Sequence, residues 1–180
     1  MKNKKLFITG ISIFIFASFL NFTAALAQEK GAEVYKDKNN YFSFNPPADW
    51  TKEEIAADTV SQVNFHSPDG KAGLGIIAQL DDGDLNNLFS QKKDYIKDFR
   101  KRFPKGKFSV SWETLGGRKV VKVNFAIPQL IKQEQYFFYD QGVCFDLVYG
   151  VGSPVDFEKN NQLALDAFAT IQRQKVAGKK

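Results

Sequence analysis

Cysteine and histidine are nearly missing from this sequence: its 180 residues hold one of each, Cys144 and His66. A single cysteine excludes any intrachain disulfide. One cysteine with one histidine also excludes the common Cys/His zinc sets. No G-x-S-x-G elbow accompanies His66, so the usual hydrolase relay has no visible nucleophile. Long hydrophobic runs are scarce as well. The one marked apolar stretch, Leu6 to Leu20, is fifteen residues, short of the ~18–20 that a spanning helix needs. No internal repeat and no low-complexity tract is visible, which removes solenoid, collagen-like and disordered classes.

What is present begins at the N-terminus. Lys2, Lys4 and Lys5 precede the apolar run, and Ala25-Leu26-Ala27 closes it. A basic start, an apolar core and an A-x-A end make a secretory signal peptide over residues 1–27. Cleavage after Ala27 is expected, giving a periplasmic or secreted protein; retention as an anchor is the alternative. No cysteine stands near that site to carry a lipid. The whole chain has 25 Lys and Arg against 20 Asp and Glu, but removing the three lysines of residues 1–27 leaves 22 against 20. The basic character is partly that of the export signal, so it is no argument for nucleic acid. The remaining 153 residues suffice for one domain, which at this size buries ~68–70% of its unfolded surface without disulfides.

Residues 28–40 form a polar lead-in with a first strand near Val34-Tyr35. Tyr41 to Phe44 alternates until Pro46-Pro47, which cannot donate ladder bonds and end the strand. Val60 to His66 and Gly73 to Leu80 are strands around the turn signal Ser67-Pro68-Asp69-Gly70. Asp81, Asp82 and Asp84 then open a helix, on which Leu85, Leu88, Phe89, Tyr95, Ile96, Phe99 and Phe103 keep helical spacing until Pro104 and Gly106. The period returns to two for Phe108 to Trp112, a Gly116-Gly117 turn, Val121 to Ile127, and a hairpin from Gln133 to Tyr149. Ser153 and Pro154 announce a closing helix with Phe157, Ala164, Leu165, Phe168 and Ile171 on its buried stripe. The expectation is an α+β fold: a twisted, mostly antiparallel sheet of about seven strands with helices packed on it. Gly73–Leu80 and Val143–Tyr149 read as apolar on both faces. They are therefore central, in an α/β/α sandwich spanning 41–172, with 173–180 a polar tail.

The segment Tyr41 to Trp50, an aromatic strand, then prolines, then a tryptophan, resembles the entry of PsbP-like domains. The later order is similar too: hairpin, long helix, Gly-containing hairpin, two strands, and a closing helix ending Phe168-Ala169-Thr170-Ile171. DcrB-type periplasmic proteins share this architecture. The resemblance covers roughly Tyr35 to Ile171 and rests on fold motifs, none of them a catalytic signature. It implies an exported, non-catalytic binding or assembly domain of the bacterial envelope. In a phototroph it would imply an extrinsic-subunit role at photosystem II. None of that family's metal contacts is carried over residue by residue.

Several side chains are candidates for chemistry. His66 is either a general base, alone or with a metal in a hydrolase, or a strand-end residue beside its turn. Cys144, between apolar neighbours, reads as a small buried hydrophobe. Asp81, Asp82 and Asp84 are either helix-capping acids or a weak calcium site, although they lack the spacing of a calcium loop. No other cofactor is implied. Lys92 falls in the middle of the helix's apolar stripe, where it must snorkel to solvent or meet an acid, and Asp146 is the candidate partner of a buried ion pair. On the helix's other face Lys93, Lys97, Arg100 and Lys101 span about a quarter-turn. From Lys92 to Lys107 eight basic residues face two acidic ones. This is either compensation of the helix dipole or a surface for an anionic partner. That partner would be an envelope protein, a small ligand or an anionic membrane. Without interleaved aromatics the face does not suit single-stranded nucleic acid.

Overall fold

The structure is a computed structural model that describes residues 33–56, 60–152 and 154–174. The signal peptide of residues 1–27, the first part of the lead-in, the Ser153 cap and residues 175–180 of the tail lie outside the described residues. Among the described residues ten strands and two helices follow in order: β1 (Tyr35–Lys36), β2 (Phe42–Phe44), β3 (Thr51–Ala56), β4 (Val60–His66), β5 (Ala72–Leu80), α1 (Leu85–Arg102), β6 (Lys107–Leu115), β7 (Arg118–Ile127), β8 (Ile131–Asp140), β9 (Val143–Val151), α2 (Pro154–Ala169) and β10 (Gln172–Arg173).

Seven of the strands form one antiparallel sheet in the order β3-β4-β5-β9-β8-β7-β6. β5 and β9 lie at its centre, as their two-sided apolar character requires. The hairpins use the turns their residues dictate. Gly116 and Gly117 both have positive φ, at 55° and 77°, the geometry of a tight hairpin turn whose twist matches its strands. Gly116 has a second constraint: a Cβ there would meet the Ala169 backbone at 3.0 Å, so the hairpin tip abuts the end of α2.

The remaining strands form a separate three-stranded sheet, β1-β2-β10. Among the described residues, pairing runs from Tyr35, where a first strand is expected near Val34-Tyr35, to Arg173. β3 is a difference from expectation: Thr51–Ala56, with its four charged or hydroxylated leading residues, carries no strand signal of its own. It is held by full antiparallel pairing with β4, from Thr51 opposite His66 to Ala56 opposite Ser61.

The main core fills one face of the large sheet. Phe65, Leu74, Ile76, Phe145, Leu147 and Tyr149 point into it, and α2 and the small sheet cover it through Phe157, Phe168, Phe42 and Phe44. Trp50 belongs to this core, beyond the Pro46-Pro47 break. On the opposite face α1 packs over β6, β7 and β8. Leu88 and Ile96 meet Phe108, Val121, Val123, Phe125 and Phe137. One register row crosses this second face as Glu53, Asn64, Gly75, Val148, Gln135, Val123 and Val110. Its β6–β7 end is apolar, and its β3–β4–β5 half is polar or glycine. The two halves of one face are built for different company.

Candidate functional site

α1 is fixed at its start by Asp84, whose Oδ1 accepts hydrogen bonds from the amides of Asn86 at 2.9 Å and Asn87 at 3.0 Å. These satisfy donors that the first turn leaves unpaired. Asp81 is also engaged: it accepts from the Gly83 amide at 2.9 Å and from the Tyr139 hydroxyl at 3.1 Å. Burial, with Cys144 and Asp81 close by, pushes the Tyr139 phenol well above its usual range. Asp82 is exposed in the same loop. Among the described residues no group of three or more His, Cys, Asp and Glu side chains is gathered as a metal-holding set.

From that start the helix presents its buried ridge as Leu88, Lys92 and Ile96. Lys92 is 3% exposed. A stem reaching solvent is therefore not its solution. Its ammonium instead stands 4.0 Å from the centroid of the Phe137 ring and 5.9 Å from that of Tyr95. Ring faces attract a desolvated cation. Burial nevertheless drives the Lys92 pKa down, opposed mainly by the charge of Asp146. Asp146 is itself buried, one strand further on, directly opposite Phe137 in the β8–β9 register.

The outer flank of α1 and the edge strand β6 enclose a cavity of about 520 Å³ lined by Ser90, Lys93, Asp94, Ile96, Lys97, Arg100, Ser109 and Val110. Three of the four basic side chains singled out in the sequence meet here. The fourth, Lys101, is directed to Asp98 at 3.5 Å. Lys97 pairs with Asp94 at 2.8 Å on an exposed surface, a contact of small energetic weight. Lys93 lies 4.9 Å from the Phe89 ring centroid. Arg100 differs from the lysines, because one of its guanidinium nitrogens donates to the Phe108 carbonyl at 2.8 Å. It ties the helix to the sheet's edge while lining the cavity. With two hydroxyls and three cations against one acid, the walls suit an anionic group.

His66 lies elsewhere, at the far margin of the sheet, with its Nε2 3.5 Å from a Glu53 carboxylate oxygen. Cys144 is a buried free thiol, pushed up to about 12 by burial above all. A nucleophilic cysteine requires the opposite shift. His66 and Cys144 lie on different strands, β4 and β9, with β5 between them.

A seven-stranded antiparallel sheet with a small second sheet and helices on both faces is the α+β sandwich of PsbP-like domains. No protein-family model and no curated protein matches the sequence. Among solved structures, the cyanobacterial PsbP (CyanoP) of Synechocystis matches with a TM-score of 0.55 at 10% identity, over 84% of this chain and 98% of that one. A protein of Bacteroides thetaiotaomicron matches with a TM-score of 0.44 at 17% identity, over 86% of this chain and 52% of that one. LpqN, described as involved in cell envelope biogenesis of Mycobacterium tuberculosis, matches with a TM-score of 0.44 at 12% identity, over 82% of this chain and 92% of that one.

Proposed function

We propose that the chain is an exported, non-catalytic binding domain of the bacterial envelope that holds an anionic partner along the α1–β6 groove. The observation that carries this reading is the cavity in which Lys93, Lys97 and Arg100 converge with Ser90 and Ser109. Helix-dipole compensation accounts for cations in the last turn of α1. It does not account for Lys93, two turns earlier, or for Ser109 on another element. Export is supported by the basic, apolar and A-x-A order of residues 1–27. A binding rather than a catalytic role is supported by the raised Cys144 thiol and by the separation of His66 from Cys144, which lie on β4 and β9 with β5 between them.

The test is retrieval of partners from the native envelope by the tagged mature chain, compared with the Lys93→Glu/Lys97→Glu variant. Loss of the same partners in the variant, and their elution by moderate salt, are expected. Charges more than ~8–10 Å apart are screened near physiological ionic strength. Unchanged partners in the variant would remove the groove from the account.

A further inference from the structure

β6 is the last strand of the large sheet, with β7 on one side and, among the described residues, no strand on the other. It is nine residues long, and its register runs unbroken from Lys107 opposite Ala126 to Leu115 opposite Arg118. Sheet edges are ordinarily blunted by short strands, proline, bulges or charged side chains. The opposite edge, β3, carries Lys52, Glu53 and Glu54. The middle of β6, Phe108 to Trp112, has no charge, no proline and no bulge.

Hairpin geometry decides which backbone groups this edge offers. The two-residue turn at Gly116-Gly117 makes Leu115 and Arg118 a hydrogen-bonded pair. Alternation then turns the N–H and C=O groups of Phe108, Val110, Trp112 and Thr114 away from β7. The Phe108 carbonyl accordingly accepts from Arg100 at 2.8 Å. The groove reaches the same edge. Ser109 and Val110 point to opposite faces of the strand, yet both line the cavity, so the cavity runs along the open rim of the backbone.

α1 lies alongside in the reverse direction. Phe89 stacks on Trp112 with ring centroids 4.7 Å apart, and Arg100 holds Phe108 further along. Lys93, Lys97 and Arg100 therefore follow one another beside the edge, from Trp112 towards Phe108. Lys93 and Lys97 are separated by a helical rise of about 6 Å. Alternate residues of an extended chain are about 6.4–6.8 Å apart.

We propose that the open edge of β6 takes up an acidic segment of a partner protein as an added antiparallel strand, with carboxylates at alternate positions facing Lys93 and Lys97. This rests on the reading of the groove as an anion site and names what carries the anion. Ladder bonds to Val110 and Trp112 hold the incoming backbone, and the cations select its side chains. Residues opposite Val110 and Trp112 point to the α1 side, so the acidic positions are the ones whose backbone groups face β6. A second copy pairing through its own β6 would bring two rows of these cations together, and such like-charge contacts are costly.

The test uses the full chain and a synthetic peptide as long as β6 that alternates valine with glutamate. Amide hydrogen exchange, followed by NMR, should slow at least tenfold at Val110 and Trp112 when the peptide is bound. The same peptide methylated on its glutamate nitrogens keeps its charge and loses the ladder donors; it should bind at least tenfold more weakly. Lys93→Glu/Lys97→Glu should weaken the unmodified peptide by a similar factor. Strand addition is overturned if both peptides bind alike, or if exchange at Val110 and Trp112 is unchanged at ~1 mM peptide, the range of a weak ligand. Binding that survives the charge reversal overturns the acidic occupant. Exchange that slows with protein concentration alone would put a second copy on the edge and overturn the proposal too. Envelope partners lost on the same charge reversal would still uphold the groove as an anion site, so failure of the added strand is told apart from failure of the groove.

Discussion

Lys92 and Asp146 share a neighbour. The Lys92 ammonium sits 4.0 Å from the Phe137 ring centroid, and Phe137 is the cross-strand partner of Asp146. Lys92 comes from the helix and Asp146 from a central strand, and the Asp146 charge acts on Lys92 across the boundary between the two layers. Neither is exposed.

The Lys92 pKa is lower in the folded chain than in the unfolded one. Between those two values the unfolded chain binds more protons, so this group makes stability rise with pH. The rise should end near ~10.4, the ordinary lysine value. Denaturant unfolding of wild type and Lys92→Met from neutral pH to that value measures it. The stability of wild type relative to the variant should stay level below the depressed folded value and climb from there towards about 10.4; a constant difference throughout would mean that Lys92 is not depressed.

Asp146→Asn removes the charge that opposes this depression. Breaking a buried charge pair on one side costs about 3–5 kcal/mol. Thermal melts at neutral pH should show a loss of that order, and the same substitution in a Lys92→Met background should cost clearly less. Equal losses in both backgrounds would show that the two groups are not coupled.

The groove residues should separate by role. Arg100→Ala removes a charged donor from the Phe108 carbonyl and should cost about 1.5–3 kcal/mol. Lys93→Ala and Lys97→Ala, at exposed helix sites, should stay within about 0.5 kcal/mol. Chemical denaturation of the three single variants gives the comparison. A silent Arg100→Ala would reduce that contact to a surface association.

Cys144 should be inert in the native chain. Its thiol is buried and pushed up to about 12, and the thiolate is the species that alkylates. Mass spectrometry after iodoacetamide at pH 8 should find no adduct without denaturant and full labelling with it. Rapid native labelling would place the thiol at the surface.

Trp50→Ala should open a cavity in the main core, where Trp50 packs among buried aromatics. Such truncations cost about 3–5 kcal/mol. A melting temperature within a degree or two of wild type would contradict its burial.

The central strands were legible because burial on both faces leaves a continuous apolar run, as in Val143–Tyr149. The hairpin at Gly116-Gly117 and both helices were legible for equally local reasons. β3 was not, because an edge strand facing solvent can carry Lys52, Glu53 and Glu54 and still be held by its neighbour's ladder. β1, expected near Val34-Tyr35, and β10, not expected, are two residues each, too short to show any period. Lys92 was visible as a polar residue on an apolar stripe. Asn64, which is buried, was invisible as such, because alternation along Val60–His66 reads it as the solvent side of a half-buried strand. Its pairing with Glu53 depends on a register that only the assembled sheet defines.

The small sheet gives the domain a late closing step. β2 receives β1 on one side and β10 on the other, with Gln172 beside Ser43 and Arg173 beside Phe42. Arg173 also donates to the Tyr41 carbonyl at 2.7 Å. A contact between residues more than a hundred positions apart forms only after the whole intervening chain is available, and it closes a very long loop. The clasp therefore cannot fasten while residues 172–174 are still on the ribosome, and the last lock of the fold waits until synthesis has passed Arg173.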